Sequence, residues 1–317
     1  METIIICGGT GFIGSNMVKF LSKRDNIMYI LDNNSSGNFN NMKNFVDNKK
    51  IFFIEHDITN KLPRKIRKFK KIDKIYNFAC PASPVGYLNI PIETTKASVL
   101  GVLNLLELAR EKKSIFFQSS TSEVYGDPLM HPQNESYWGN VNPIGVRSCY
   151  DEGKRCAESL IFDYKRKFNL DVRVARIFNT YGPYMNIDGR VVSNFIWQAL
   201  NDRDITIYGD GTQTRSFCYI DDLIVGIDLL MNYEGKIEGP INLGNPMEFM
   251  IIELAKKVTS LVDTKSSIVN KGLPSDDPKK RKPDISKAKS ILGWEPTIKL
   301  DEGLKKTIEY FKGIEIE

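Results

Sequence analysis

Residues 3–14 read Thr-Ile-Ile-Ile-Cys-Gly-Gly-Thr-Gly-Phe-Ile-Gly, and no other stretch of the 317-residue chain restricts the fold as much. An apolar, β-branched run of this length is a buried strand. Gly8, Gly11 and Gly14 then fall three apart, at the entry to a helical stretch that continues to Leu21. Glycines at that spacing permit a tight strand-to-helix turn, close approach of the backbone to a pyrophosphate, and close packing of helix on strand. The amides at the helix entry, around Phe12, Ile13 and Gly14, face an anion placed before them. The segment predicts the opening unit of an α/β fold, a Rossmann-type doubly wound parallel sheet that binds a dinucleotide. Asp32 ends the next apolar run. A carboxylate there accepts a hydrogen bond from a ribose 2′-hydroxyl and repels a 2′-phosphate, so NAD is favoured over NADP. Asp57 and Ile58, after the third run, are placed toward the adenine edge.

The rest of the first half keeps the same alternation. Strands are expected at Thr3 to Cys7, Met28 to Leu31, Ile51 to Glu55, Ile75 to Ala79, Ser114 to Ser119 and Val172 to Ile177. Helical stretches such as Glu93 to Arg110 and Asp151 to Phe168 lie between them, the pattern of βαβ units. From Asn179 the texture changes to Pro, Gly and Asp clusters. This predicts a dinucleotide domain over residues 1–178 and a smaller, loop-rich C-terminal substrate domain over 179–317, with the chain rejoining the first domain near 215–231.

Composition excludes several classes. The net charge is +5, but Arg64, Lys65, Arg67, Lys68, Lys70 and Lys71 supply six positive charges in one short run, and the remainder is close to neutral. With Phe69 as its one interleaved aromatic and no recognition motif, that run reads as a solvated face, not a nucleic-acid footprint. Five scattered cysteines without a CxxC pair fit a reducing compartment and no disulfide framework. His56 and His131 are the only histidines and neither neighbours a cysteine, so no metal site is expected. The chain enters a strand directly after Met1-Glu2, without a leader, and has no apolar stretch of membrane-spanning length. A cytoplasmic protein with no membrane association is the expectation.

Chemistry concentrates in two places. Tyr150 and Lys154, in Tyr-Asp-Glu-Gly-Lys, share one face of a helix at i and i+4. A phenol is a poor base at neutral pH, and an adjacent ammonium favours its phenolate. Thr121, Ser122 and Glu123 bring two hydroxyls and a carboxylate together where the buried fifth strand ends, and Thr121 or Ser122 could hydrogen-bond the same substrate oxygen as Tyr150.

These segments, with "ACPASP", "YWGNVNPIGVRSCYDEGKR", "RIFNTYGP", "DGRVVSNFI", "YGDGTQTRSFCY", "INLGNP" and "DDPKKRKPDISKAKSILGWEP", resemble in order and over the full length the extended short-chain dehydrogenase/reductases. Within them the chain is similar to the UDP-glucuronate decarboxylase branch. The resemblance implies that Tyr150 and Lys154 are the catalytic pair, Thr121 their hydroxyl partner, Glu123 the carboxylate at the sugar and Arg281 an active-site arginine. It places Ser122 at the substrate, and Asn179, Arg190, Tyr208 and Arg215 on segments that hold the UDP moiety, with Arg215 a partner for the diphosphate. It also implies a homodimer through the Glu93 to Arg110 and Asp151 to Phe168 helices. Related 4,6-dehydratases carry Asp-Glu where this chain has Ser122-Glu123, and 4-epimerases have no Glu there. One Glu flanked by hydroxyls suits chemistry at C5 that expels no hydroxide. The expected reaction is NAD-mediated oxidation of UDP-glucuronate at C4, loss of carbon dioxide from the β-keto acid, and re-reduction to UDP-xylose. The alternatives are another nucleotide-sugar 4-epimerase or 4,6-dehydratase and, more remotely, a non-catalytic NAD-binding or nucleic-acid-binding protein. Two positions depart from the branch: Ser98 stands where Asn is usual and Tyr184 where Arg is common.

Overall fold

The computed structural model describes residues 1–46, 49–272 and 280–314. Its centre is a parallel sheet of seven strands. Six come from the first half: β1 (Glu2–Cys7), β2 (Asn26–Asp32), β3 (Ile51–Glu55), β4 (Lys74–Asn77), β5 (Ile115–Thr121) and β6 (Val172–Ile177). The seventh, Ile241–Leu243, pairs with β6, and the order runs Ile241–Leu243, β6, β5, β4, β1, β2, β3. Chain order reverses between β1 and β4, which opens a crevice at the carboxyl ends of those two strands.

Alternation along β1 explains why the sheet is covered on both faces. Ile4 and Ile6 pack with Met17, Val18, Ile224 and Ile227, whereas Ile5 and Cys7 pack with Leu105, Leu106, Ala109, Ala157 and Ile161. Successive side chains point to opposite faces, so a strand buried on both reads as a continuous apolar run. Each of the fully buried Ile, Leu, Val and Met side chains among these contributes about 1.5–3 kcal/mol relative to exposure.

The helix Ile220–Asn232 packs against α1 (Phe12–Leu21) and β6, so the chain returns to the sheet there and again at Ile241–Leu243. Outside the sheet, Ile205–Tyr208 pairs with Ile268–Lys271, and Thr214–Ser216 pairs antiparallel with Glu248–Met250. The expected Glu93 to Arg110 helix is present as Pro91–Lys96 and Val102–Lys112, joined by a π-helical turn at Ala97–Gly101. Ser98 lies in that turn, with its Oγ 3.3 Å from Cys80 Sγ and its side chain facing Gly153 of the helix Ser148–Phe168. Tyr184 packs edge-on against Tyr310 with ring centroids 5.3 Å apart.

Candidate active site

The glycine loop is shaped for an anionic cofactor. Gly8 has φ +75, and a Cβ there would lie 2.5 Å from the amide nitrogen of Ala79. Only glycine takes both the conformation and the close approach without strain. Gly11 is the N-cap of α1 and lays no side chain over the helix amides. A Cβ at Gly14 would collide with the carbonyl oxygen of Gly8, which fixes how closely α1 packs on the loop. Asp32 is buried at the end of β2, where its carboxylate accepts from the amides of Thr10 and Asn34, both at 2.9 Å. Thr10 Oγ1 and Asn34 Oδ1 are buried beside it without hydrogen-bond partners among the described residues. Uncapped amides, an acidic group at the second strand and unpaired buried oxygens fit a dinucleotide with a free ribose diol. Asp57 closes a local turn by accepting from the amide of Thr59 at 2.8 Å, and Ile58 packs against Gly101 of the π turn.

Thr121 ends β5, and a single 3₁₀ turn, Ser122–Tyr125, carries the next three side chains away from the sheet. Thr121 Oγ1 accepts from the amide of Glu123 at 3.2 Å, and the Thr121 side chain lies close enough to the Tyr150 phenol to pull its pKa down. Tyr150 and Lys154 lie one turn apart on Ser148–Phe168, both buried, and Lys154 Nζ donates to Ser119 O at 2.9 Å. The Tyr150 ring is stacked on Tyr87, centroids 5.0 Å apart and planes within 6°. Ser122 is buried in the same turn. A second network ties the end of β5 to the catalytic helix. Ser120 Oγ donates to Glu158 at 2.5 Å, Arg176 holds Glu158 with two bonds of 3.0 and 2.7 Å, and Arg176 also reaches the hydroxyl of Tyr125 at 3.0 Å.

Electrostatics separate the two acidic groups. Burial raises the Glu123 carboxyl, but the charges of Arg281 and Arg147 outweigh it and hold the group below the usual carboxylate range. Arg281 donates to both oxygens, the Nη2–Oε2 bond being 2.8 Å, and Arg147 Nη2 lies 2.6 Å from Oε2. Asp151 goes the other way: burial, then the charge of Glu123, push it up to about 7. Burial likewise raises the Tyr150 phenol well above its ordinary value. That direction is opposite to the one expected from the adjacent ammonium, because desolvation of a buried phenolate exceeds what surrounding groups return.

The predicted residues do not all converge. Glu123, Arg281, Thr121, Ser122, Tyr150 and Lys154 form one cluster, and the charge of Arg215 is felt at Glu123. Arg190 instead lies over the Phe12 ring at 5.5 Å and is paired with Asp188, beside the glycine loop. Tyr208 is half exposed at a strand end, and Asn179 uses its carbonyl to accept from the amide of Cys218 at 2.9 Å. Of the segment Asp276 to Asp284, residues 276–279 lie outside the described residues. Three site residues were not anticipated: Arg147, Asp151 and Tyr87. Arg147 sits three positions before Tyr150, hence on the same helical face, which is the one signal that marks it.

A doubly wound sheet with a Tyr-x-x-x-Lys pair on the helix after β5, facing a glycine loop at the switch point, is the arrangement of an extended short-chain dehydrogenase/reductase. Residues 5–307 match the family described as GDP-mannose 4,6 dehydratase, and the chain belongs to that family. It is 52% identical to UDP-glucuronic acid decarboxylase 6 of Arabidopsis thaliana over 98% of this chain and 88% of that protein. It is 48% identical to UDP-glucuronic acid decarboxylase 1 of Danio rerio, over 98% of this chain and 72% of that one. Among solved structures, the UDP-glucuronic acid 4-epimerase of Bacillus cereus in complex with UDP-glucuronic acid and NAD superposes with a TM-score of 0.88, at 27% identity over 98% of this chain and 99% of that one. The UDP-glucose 4-epimerase of Thermotoga maritima with UDP-glucose gives 0.89 at 28% identity, over 98% and 99% of the two chains.

Proposed function

We propose that this chain is an NAD-dependent UDP-glucuronate decarboxylase that forms UDP-xylose. The observation that carries this reading is Glu123, held ionised between two guanidiniums beside the Tyr150–Thr121 pair, with Ser122 in place of the acid that water elimination needs. The relatives near 50% identity over almost the whole chain carry that activity in their names, and the epimerases are far less similar in sequence.

Gly8, Gly11, Gly14 and Asp32 would hold NAD, with Phe12 and Ile13 at the helix entry and Asp57 and Ile58 toward the adenine. Held there, NAD would supply the hydride acceptor for oxidation at C4 and the hydride for its re-reduction. Tyr150 removes the C4 hydroxyl proton, and the Lys154 ammonium, 5.6 Å from the ring centroid, opposes the desolvation that otherwise keeps the phenol neutral. The resulting C4 ketone is β to the carboxylate on C5. The C5–C6 bond then breaks, carbon dioxide leaves, and the electron pair passes into the ketone as an enolate, which Tyr150 and Thr121 stabilise by hydrogen bonding. A proton adds to C5 and C4 is reduced again, so the net reaction consumes one proton and no external reductant. Glu123 serves as an ionised acceptor that orients Arg281, not as an acid. Arg215 and Arg190 engage diphosphate groups, and Asn179 and Tyr208 border the nucleotide.

The division into a cofactor domain over 1–178, rejoined near 215–231 and again by the sheet strand Ile241–Leu243, and a substrate domain over the remainder of 179–317 follows the same reading. A homodimer through Pro91–Lys112 and Ser148–Phe168 is supported by Ile92, Leu100 and Phe168, large apolar side chains exposed on those helices. No described helix is long and apolar enough to cross a membrane. The five cysteines are free thiols, which supports the cytoplasm.

Mass spectrometry of the purified protein incubated with UDP-glucuronate tests the reading. A UDP-pentose forming without a second reductant is the expected result. Inversion of the sugar with its carboxylate retained would replace it with a 4-epimerase.

A further inference from the structure

Arg147 immediately precedes the catalytic helix and reaches back into the crevice. Its Nη2 lies 2.6 Å from Glu123 Oε2, and its guanidinium carbon lies 5.9 Å from the centre of the Tyr87 ring that stacks on Tyr150. Arg281 takes both oxygens of the same carboxylate, so one anion serves two guanidiniums. The fourth charged group, Asp151, completes the cluster only loosely. Its Oδ2 is 4.0 Å from Arg147 Nε, beyond hydrogen-bond reach, and its Oδ1 is buried without a hydrogen-bond partner among the described residues. With both arginines and Glu123 ionised, the four groups carry one positive charge in excess when Asp151 is protonated and none when it is ionised. A buried excess charge is costly until an anion of opposite sign arrives.

Resting on the UDP-glucuronate reading above, we propose that Arg147 is a second specificity-determining guanidinium, shared between Glu123 and the C6 carboxylate of the substrate, and that Asp151 sets how much positive charge the two arginines present to it. The placement follows from the chemistry: the C4 hydroxyl meets Tyr150 and Thr121, and C5, which carries the carboxylate, is the adjoining carbon. Arg281 and Arg147 thus hold Glu123 in the free protein and take a second carboxylate when substrate binds.

A pH dependence follows. Asp151, pushed up to about 7 by burial and by Glu123 against the pull of Arg147 and Arg281, is protonated below that value. The excess positive charge is then present, and it is lost as pH rises and Asp151 ionises. Of its other neighbours, Glu152 is paired with Arg155 at 3.5 Å. Burial raises the Tyr87 phenol and the Cys149 thiol, so both stay neutral through this window.

The test is equilibrium binding of UDP-glucuronate and UDP-xylose to the NAD-loaded protein in a Tyr150→Phe background, which prevents turnover. The two ligands share the diphosphate and differ by the carboxylate. Arg147→Gln is expected to weaken UDP-glucuronate by about 10- to 100-fold while leaving UDP-xylose within about 2-fold, and Arg147→Lys to recover part of the loss. Affinity for UDP-glucuronate, but not UDP-xylose, is expected to fall between about pH 6 and 8, and Asp151→Asn to flatten that fall. Equal weakening of both ligands by Arg147→Gln would overturn the role of Arg147, and an unchanged pH profile in Asp151→Asn would overturn that of Asp151. If the Tyr150→Phe parent binds UDP-glucuronate no better than UDP-xylose, the carboxylate contact proposed here falls while the substrate reading stands on turnover; if the wild type does not turn over UDP-glucuronate, the reading falls and this inference with it.

Discussion

Tyr150→Phe is expected to lower turnover of UDP-glucuronate by about 10²- to 10⁴-fold, the range for loss of a positioned acid–base group. The substitution is narrow. The ring and its stack on Tyr87 remain, and only the hydroxyl beside Thr121 is removed. Folding stability should therefore change by no more than about 1–2 kcal/mol, the scale of one buried hydrogen bond. Steady-state rates, read together with the thermal midpoint and UDP-glucuronate affinity, separate the chemical effect from a structural one. Wild-type turnover in this variant would remove Tyr150 from the proton transfer at C4.

Glu123→Ala has the other large effect, and it acts on both stability and chemistry. Deleting the carboxylate leaves the buried Arg281 and the part-buried Arg147 side by side without the anion between them. Removing one partner of a buried ionic cluster costs about 3–5 kcal/mol. Decarboxylation should fail as well, since Arg281 is no longer oriented. Glu123→Gln keeps the shape and one acceptor oxygen and should recover part of the stability. The pH dependence has a definite sign. The folded-state carboxyl of Glu123 is held below its unfolded value, so its stabilisation is complete above about pH 4.3 and is lost as pH falls through the lower, folded value. In Glu123→Gln that acid-side component disappears. Equal acid denaturation of wild type and Glu123→Gln would show that the cluster does not stabilise the fold.

The parts of the site that were legible in the sequence are those built by local geometry. The glycines at 8, 11 and 14 act through the turn they form, Asp32 through its place at a strand end, and Tyr150 and Lys154 through one helical turn. Glu123 and Arg281 are 158 positions apart, and their pairing depends on packing between distant elements. Similarity to a family placed them together, and spacing did not. Arg147 and Asp151 flank Tyr150 in sequence, yet their role depends on Glu123 arriving from the end of β5. Tyr87 is placed by a short helix, Pro84–Asn89, whose contact with Tyr150 leaves no periodic trace. The strand Ile241–Leu243 has three residues, too few for an alternation to register. The π turn at Ala97–Gly101 hides within an otherwise regular helical pattern for the same reason. The phenol of Tyr150 was misjudged because a neighbouring ammonium is visible in sequence and the depth of burial is not.

The central claim is a closed redox cycle at C4 around a decarboxylation at C5. It is tested most directly with UDP-glucuronate carrying deuterium at C4, turned over by NAD-loaded protein and examined by mass spectrometry and proton NMR. The expected product is UDP-xylose with deuterium retained at C4 and a solvent-derived hydrogen at C5, with no reduced cofactor accumulating. Loss of the C4 label from the pentose, or its retention in a sugar that still bears its carboxylate, would contradict that cycle.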